Sequence, residues 1–230
     1  MNILSSRDNE VKTLKKDQKN VSMAVIRRLP KYHRRLKELM EKDVTRISSK
    51  ELSVMIGFTA SQIRQDLNCF GGFGQQGYGY DVAELYTEIS RILGLTEHYN
   101  TVIVGAGNLG QAIANYSNFE KKGFHVMALF EKNPRLIGLK IRDIPVLDID
   151  ELEDFAKDKD IEIGVICTNS ENAQDVADLL VKLPVRAIWN FAPVDIQLPE
   201  HIIQENVHLS DSLFVISYLL KLQKEEAEES

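Results

Sequence analysis

Cysteine is almost absent from this chain. Cys69 and Cys167 are the only two, and they form no CxxC spacing, which excludes a disulfide framework and fits a reducing cytoplasm. The 5 histidines (His33, His98, His125, His201 and His208) are scattered, without an HxxxH pair or a Cys/His cluster, so no metal site is expected. No apolar run approaches the roughly 18 residues that a membrane span needs. Residues 1–20 are polar, mixed in charge and lack an apolar stretch, so no secretory signal is expected and the chain is assigned to the cytoplasm. What remains is an ordinary soluble composition: 230 residues, 43% hydrophobic and 27% charged, enough for one or two domains.

The net charge of −6 argues against a nucleic-acid partner only while the chain is taken whole. Residues 1–80 carry 15 Lys+Arg against 8 Asp+Glu, a net +7, and residues 81–230 carry 13 against 26, a net −13. A basic first third on an acidic remainder points to a polyanion facing the N-terminal part alone.

Between Ser22 and Lys42 the apolar residues Met23, Ile26, Leu29, Leu36, Leu39 and Met40 fall at helical spacing and are the core candidates; Pro30 inside this stretch predicts two helices or a kink, with Pro30 opening the second segment. Ser48-x-x-Glu51 is a capping box for a helix that runs to about Ile56 and stops at Gly57; Thr59-x-x-Gln62 is another capping box and opens the next helix, which runs to about Phe70. Helix, short Gly-containing turn and helix make a helix-turn-helix, whose second helix is the recognition helix. It buries Ile63 and Leu67 and leaves Ser61, Gln62, Arg64, Gln65 and Asn68 to face outward. Gln and Asn suit an adenine edge, and Arg suits guanine or phosphate. Residues 71–80, GGFGQQGYGY, alternate glycine with aromatic and polar side chains. They read as a β-hairpin wing whose Phe73, Gly74, Gln75, Gln76, Gly77 and Tyr78 approach the DNA backbone. A plain helical hairpin with a polar face accounts for the helices but not for this hairpin.

Asp81-x-x-Glu84 caps a helix over Val82–Leu93, which joins the halves and ends at Gly94. Then Thr101-Val102-Ile103-Val104 forms a buried-strand pattern that leads directly into Gly105-Ala106-Gly107-Asn108-Leu109-Gly110 and a helix. A lone GxGxxG is weak, but this one lies between strand and helix. A second apolar strand, His125–Phe130, then ends in Glu131, 24 positions beyond Gly107, near the ~20 expected for the carboxylate that accepts ribose hydroxyls. Gly105 makes the tight turn, Gly107 admits the pyrophosphate, Gly110 lets helix and strand pack, and the helix N-terminus holds phosphate. A carboxylate at Glu131 repels a 2′-phosphate, so NAD is expected over NADP, although Lys132 and Arg135 weaken that preference.

Strands at Ile144–Leu147, Ile161–Cys167 and Val185–Asn190, alternating with helices from Asp150 and over Asn172–Lys182, complete a doubly wound parallel sheet. Its ligands bind beyond the carboxyl ends of the strands, where Thr168-Asn169-Ser170 and Asn190-Phe191-Ala192-Pro193 follow strand ends. For any one of these residues turn chemistry is an equal alternative. Cys167 and Cys69 read as small hydrophobes rather than thiol switches.

From Ser210-Asp211 a helix carries Leu213, Phe214, Val215, Ile216, Tyr218, Leu219, Leu220 and Leu222, apolar on nearly every face and therefore requiring burial on several sides. A domain-swapped dimer through Leu213, Phe214, Ile216 and Leu220 meets that need; packing between the two domains of one chain is the alternative. A polar tail follows Leu222.

In sum the fold class is α/β. The expected domains are a flexible basic tail (1–20), a winged helix-turn-helix (21–80), a linker helix (81–96), a Rossmann domain (97–210) and a C-terminal dimerisation helix (211–230).

These pieces, from about Val21 to Leu222, resemble the Rex family of bacterial redox-sensing transcriptional repressors. The resemblance rests on Ser48-Ser49-x-x-Leu52, Arg64-x-Asp66-Leu67-x-x-Phe70-Gly71, Gly77-x-Gly79-Tyr80, Gly105-x-Gly107-x-Leu109-Gly110 and Asn190-Phe191-Ala192-Pro193. It implies a homodimer that binds an inverted-repeat operator, with Ser48, Ser49 and Thr59 joining the DNA contacts, a swapped C-terminal helix, and NADH as the ligand that releases DNA. The regulated genes would serve respiration, fermentation and NADH reoxidation. Two departures remove charge: Gln65 stands where many members have Lys, and Gln75-Gln76 stand where the wing often carries a basic residue. Tyr116, Asn190 and Pro193 are expected near the nicotinamide. An NAD-dependent oxidoreductase is the competing class, but no Tyr-x-x-x-Lys pair or substrate domain is found, and Rossmann architecture alone implies no catalysis. A regulator that binds another nucleotide or coenzyme A is the third reading.

Overall fold

The computed structural model describes residues 21–75 and 78–228, and for Gly74 and Gln75 the backbone alone. The expectations for residues 1–20, Gln76 and Gly77 lie outside the described residues. The chain divides into two compact units, one ending at Thr96 and the other beginning at Glu97.

The first unit opens with α1 (Met23–Ile26) and α2 (Leu29–Met40). Pro30 stands in the first turn of α2, where it lacks only an N–H that would have no helical partner. After β1 (Arg46–Ile47) come α3 (Ser49–Ile56) and α4 (Ala60–Asn68), then β2 (Gly74–Gln75), β3 (Gly79–Asp81) and α5 (Val82–Ile92). The three N-caps predicted in this unit form, but one box does not. Ser48 and Glu51 make a full capping box, Asp81 accepts from the Glu84 amide, and Thr59 accepts from the Gln62 amide while the Gln62 side chain turns to Asp66 instead of closing a second box. The recognition helix α4 ends at Asn68, two residues before the predicted limit. The strands form a small antiparallel sheet in the order β1-β3-β2, with Gly74 opposite Tyr80 and Gln75 opposite Gly79. This is the predicted wing. Gly79 sits at φ +71°, and a Cβ there would lie 2.6 Å from the Ile47 carbonyl oxygen, so no other residue lets β3 lie against β1.

The helix over 82–92 is no free-standing connector. Val82, Leu85 and Ile89 are fully buried with Leu29, Tyr32 and Leu36 of α2, whereas Met23 and Met40, expected in the core, are exposed because they lie off the face that meets α5. At about 1.5–3 kcal/mol per buried large aliphatic side chain, the α2–α5 seam holds this unit together. His33 adds a stacked contact on Tyr86, 4.5 Å between centroids, and a 3.1 Å hydrogen bond with Ser90.

The second unit is a seven-stranded sheet in the order β10-β9-β8-β4-β5-β7-β6. Its members are β4 (Tyr99–Val104), β5 (Phe124–Glu131), β6 (Lys140–Ile141), β7 (Ile144–Asp148), β8 (Ile163–Ile166), β9 (Ala187–Asn190) and β10 (Ile203–Asn206). All pairings are parallel except β6 with β7. One face buries α7 (Leu152–Ala156) and α8 (Ser170–Leu180) through Leu152, Val176 and Leu180; the other packs α6 (Asn108–Asn115) through Ile113 and Ala114. This is the expected Rossmann arrangement, a winged helix being followed by a doubly wound parallel sheet. Strand β10 was not expected, because Ile-Gln-Glu-Asn at a sheet edge has only one strongly apolar residue.

Helix α9 (Leu209–Glu228) begins one residue before the expected cap and continues through the supposed tail. None of its residues is buried.

Candidate nucleic-acid and dinucleotide sites

In the first unit the capping chemistry decides which polar side chains remain available. The Ser48 hydroxyl donates to Glu51 at 2.7 Å and accepts the Glu51 amide, while the Glu51 carboxylate also takes the Ser48 amide. Those bonds hold Glu51 below the usual carboxylate range. Thr59 Oγ1 is engaged by the Gln62 amide at 3.1 Å. Ser48 and Thr59, both expected to meet DNA, thus serve their helix ends. Ser61, Arg64, Gln65 and Asn68 are exposed on α4 as expected. Arg64 Nη1 donates to Ser49 Oγ at 2.9 Å, which brings two expected DNA contacts together across the turn. Tyr78 is exposed, whereas Phe73 packs against the core.

Beneath α4 lies a group that sequence reasoning missed. Asp66 shares the inward face with Ile63 and Leu67 and is fully buried. Arg28 grips it with two bonds, Nε to Oδ2 at 2.6 Å and Nη2 to Oδ1 at 2.7 Å; Tyr32 donates to Oδ2 at 2.6 Å and Gln62 Nε2 to Oδ1 at 2.8 Å. Burial pushes the carboxyl up, but the bonds from Arg28, Tyr32 and Gln62 outweigh it and hold Asp66 below its ordinary value. Burial and Asp66 together push the Tyr32 phenol up. The sequence signal was an acidic residue on the apolar stripe of a helix, which requires a cation nearby.

In the second unit β4 delivers the chain into the glycine turn. Gly105 has φ +103°, and a Cβ on it would lie 2.5 Å from the Cys167 carbonyl oxygen. A Cβ on Gly110 would lie 1.9 Å from the Gly105 carbonyl oxygen, so only glycine lets α6 press onto the turn. Gly107 is different: a Cβ there meets nothing within 4 Å. Gly107 and Asn108 are exposed at the start of α6, Leu109 is half-buried and Ala106 fully buried. Glu131 ends β5 beside the turn. Its Oε2 accepts the Ala106 amide at 2.8 Å, and its Oε1 accepts those of Lys132 and Asn133 at 2.7 and 3.1 Å.

A cavity of about 320 Å³ opens here, lined by Gly105, Gly107, Glu131, Lys132, Thr168 and Asn169. The Thr168 hydroxyl is buried and has no hydrogen-bond partner among the described residues. A polar atom left so is costly unless a ligand completes it, so Thr168 and Glu131 fit a hydroxyl-bearing ligand, and Lys132 in the same lining suits an anionic group on it. Asn169 caps α8, its Oδ1 accepting from the amide and the Nδ2 of Asn172. Asn190, fully buried, donates to Val194 O at 2.8 Å and Asn206 Oδ1 at 3.1 Å and accepts the Ala192 amide at 3.0 Å. It shapes the turn that leaves Pro193 exposed. Burial pushes the Cys167 thiol up to about 12.

Tyr116 is not brought to this cavity. Its ring stands edge-on to Phe119, 4.8 Å between centroids, in a separate pocket with Phe124 and Ile144. Those two residues begin β5 and β7, so this pocket lies at the opposite end of the strands from the glycine turn. Leu213, Phe214, Ile216 and Leu220 lie together on α9, 49–68% exposed.

Comparison with known proteins agrees with this two-unit reading. The family described as "Putative DNA-binding protein N-terminus" matches residues 20–68, and that described as "CoA binding domain" matches residues 96–194. The redox-sensing transcriptional repressor Rex of Clostridium acetobutylicum is 64% identical over 203 residues, 88% of this chain and 95% of that protein. The Clostridium tetani repressor of the same name is 61% identical over 207 residues, 90% of this chain and 98% of that one. Among solved structures, RSP in complex with β-NAD⁺ and operator DNA is similar at TM-score 0.84 and 60% identity, covering 90% of this chain and 96% of that one. RSP in complex with β-NADH is similar at TM-score 0.85 and 56% identity, covering 92% and 99%. By fold, by site and by this kinship over most of its length, the chain belongs to the Rex family of redox-sensing transcriptional repressors.

Proposed function

We propose that this chain is a transcriptional repressor that binds an inverted-repeat operator when free or NAD⁺-bound and is released by NADH. One observation carries the reading: a cavity with the Glu131 carboxylate and a Thr168 hydroxyl that has no partner among the described residues stands in the same chain as a capped helix-turn-helix with a wing. The complexes of RSP with β-NAD⁺ and operator DNA, and with β-NADH, support it. The relatives are named as repressors rather than enzymes, which argues against the oxidoreductase alternative.

In this reading Gly107 admits the pyrophosphate, and the amides at the start of α6 face it. Glu131 and Thr168 receive ribose hydroxyls, and Lys132 and Asn169 border them. The two redox forms differ at the nicotinamide, cationic in one and neutral in the other. The nicotinamide is assigned to the Asn190–Pro193 turn, which does not line the cavity in one chain; a setting there that excludes water on binding would disfavour the cation, and a 100-fold preference for NADH requires only about 2.8 kcal/mol. Because coupling is reciprocal, operator DNA must weaken NADH binding by the factor by which NADH weakens DNA binding.

A homodimer completes the reading. The apolar surface of α9 is uncovered in one chain. The sheet face from β5 to β10 also offers an apolar groove of about 280 Å³ that includes Val126, Ile163, Val165, Trp189 and Ile203. We assign the groove to the helix of a second copy. No described helix is long and apolar enough to cross a membrane, and we place the protein in the cytoplasm, acting on genes of respiration, fermentation and NADH reoxidation.

The test is an anisotropy titration on inverted-repeat DNA at fixed salt, without ligand and with NAD⁺, NADH or coenzyme A. Release by NADH alone supports the proposal. Binding indifferent to all three ligands refutes the sensing mechanism, and release by coenzyme A alone would assign the cavity to that ligand.

A further inference from the structure

Among the described residues Asp66 is the one buried carboxylate. Its partners fill both carboxylate oxygens. Arg28 neutralises the charge through two bonds, and Tyr32 adds a third. The fourth partner, Gln62, comes from the first turn of α4 itself, where helix-turn-helix proteins place the side chains that reach base edges.

An ionised carboxylate only accepts hydrogen bonds, while an amide has a donor end and an acceptor end. Gln62 must therefore turn its NH₂ toward Asp66. The opposite flip would set two acceptor oxygens against each other across the present 2.8 Å contact. One N–H is engaged by that bond, which leaves the second N–H and the carbonyl oxygen side by side. That pair matches the N7 acceptor and N6 donor of adenine in the major groove. A freely flipping amide offers the pair in either order, whereas a locked one offers it in one order only.

We propose that Asp66 is the positioning residue for base readout by Gln62, holding the amide from beneath α4 so that it reads an adenine on one defined strand of each half-site. This rests on the operator-binding reading above. Arg28 and Tyr32 hold Asp66 in turn, so a residue at the α1–α2 junction contributes to sequence preference without touching DNA.

The experiment measures binding of the full-length protein to duplexes in which each half-site position carries each of the four base pairs. Wild type is compared with Q62M, which keeps the side-chain length without its polar atoms, and with D66N, whose amide can donate as well as accept and so releases the flip. D66N leaves Arg28 without its counter-charge, so R28M/D66N, which removes both charges, is run beside it, and thermal melting checks that each variant is folded. In the wild type, exchanging A·T for T·A at one position costs about 5- to 150-fold, the range for one bidentate contact. Q62M flattens that position alone and leaves the salt dependence unchanged, since no charge is lost. D66N and R28M/D66N flatten the same position, and Q62M/D66N flattens it no further than Q62M. A uniform loss across all sequences in both Asp66 variants would reduce the network to a fold support and overturn the proposal, as would an unaltered base profile in Q62M. Failure of the wild type to bind any inverted repeat would overturn the operator reading first, and is seen before any variant is made.

Discussion

Gly107 and Gly110 lie one helical turn apart, yet alanine at each should act on different states of the protein. At Gly110 the added Cβ falls 1.9 Å from the Gly105 carbonyl oxygen, and backbone cannot swing aside as a side chain can. Helix α6 must back off by more than an ångström, an overpacking that costs about 2 kcal/mol or more. At Gly107 the Cβ meets nothing within 4 Å and the backbone sits at φ −71°, which alanine adopts freely. Losing glycine at an N-cap and stiffening the unfolded chain nearly offset, leaving a net change within about 1 kcal/mol. In the proposed complex the pyrophosphate is what that Cβ would meet. With NADH at 100 times its Kd, the wild type gains about 2.7 kcal/mol, or ~8–13 °C in the melting temperature of a unit of this size. If G107A weakens binding about 100-fold, the gain shrinks to about 0.4 kcal/mol, or ~1–2 °C. Thermal melting of wild type, G107A and G110A, each with and without NADH, reads both effects. A full ligand-induced rise in G107A would refute the passage of the dinucleotide over Gly107. A ligand-free G107A as unstable as G110A would refute the steric argument itself.

Other consequences follow from the same geometry. Removing one partner of the Arg28–Asp66 pair, as in Asp66→Ala, should destabilise the first unit by about 3–5 kcal/mol, measured by urea unfolding at pH 7. Because the folded carboxyl lies below its unfolded value of ~3.9, the contribution is fully present above that pH. It is lost as pH falls through the folded value, so the gap between wild type and D66A should narrow below about pH 4; a gap constant down to pH 3 would contradict the assignment. With its thiol pushed up to about 12, Cys167 should resist iodoacetamide at neutral pH while exposed Cys69 is alkylated, as read by peptide mass spectrometry. Charged substitutions on α9, such as Phe214→Asp with Leu220→Lys, should convert the proposed dimer to monomer in analytical ultracentrifugation, and an unchanged sedimentation coefficient would rule α9 out of the interface.

Much of this architecture is local, and local structure is legible from sequence. Ser48-x-x-Glu51, Thr59-x-x-Gln62 and Pro30 act within one helical turn, and the GxGxxG between a strand and a helix works through backbone conformation, so their roles could be read before any fold was known. Net charge, divided at residue 80, separated the two units for the same reason, since it needs no knowledge of contacts. Other features were beyond such reading. That the 82–92 helix belongs to the first unit's core depends on α2, some fifty residues away. That the Ser48, Thr59, Asn169 and Asn190 side chains are engaged in caps and turns, while Thr168 is left without a partner among the described residues, depends on which backbone amides the fold brings near. Tyr116 follows the glycine turn closely in sequence, but the length of α6 carries it to the far end of the sheet. The Arg28–Tyr32–Asp66–Gln62 cluster joins residues 38 apart. Sequence alone determines where the chain turns, caps and alternates, because those choices are made among neighbours. Which polar groups are left to meet a ligand or a base is decided by tertiary structure, because it depends on which partners long-range packing has already supplied.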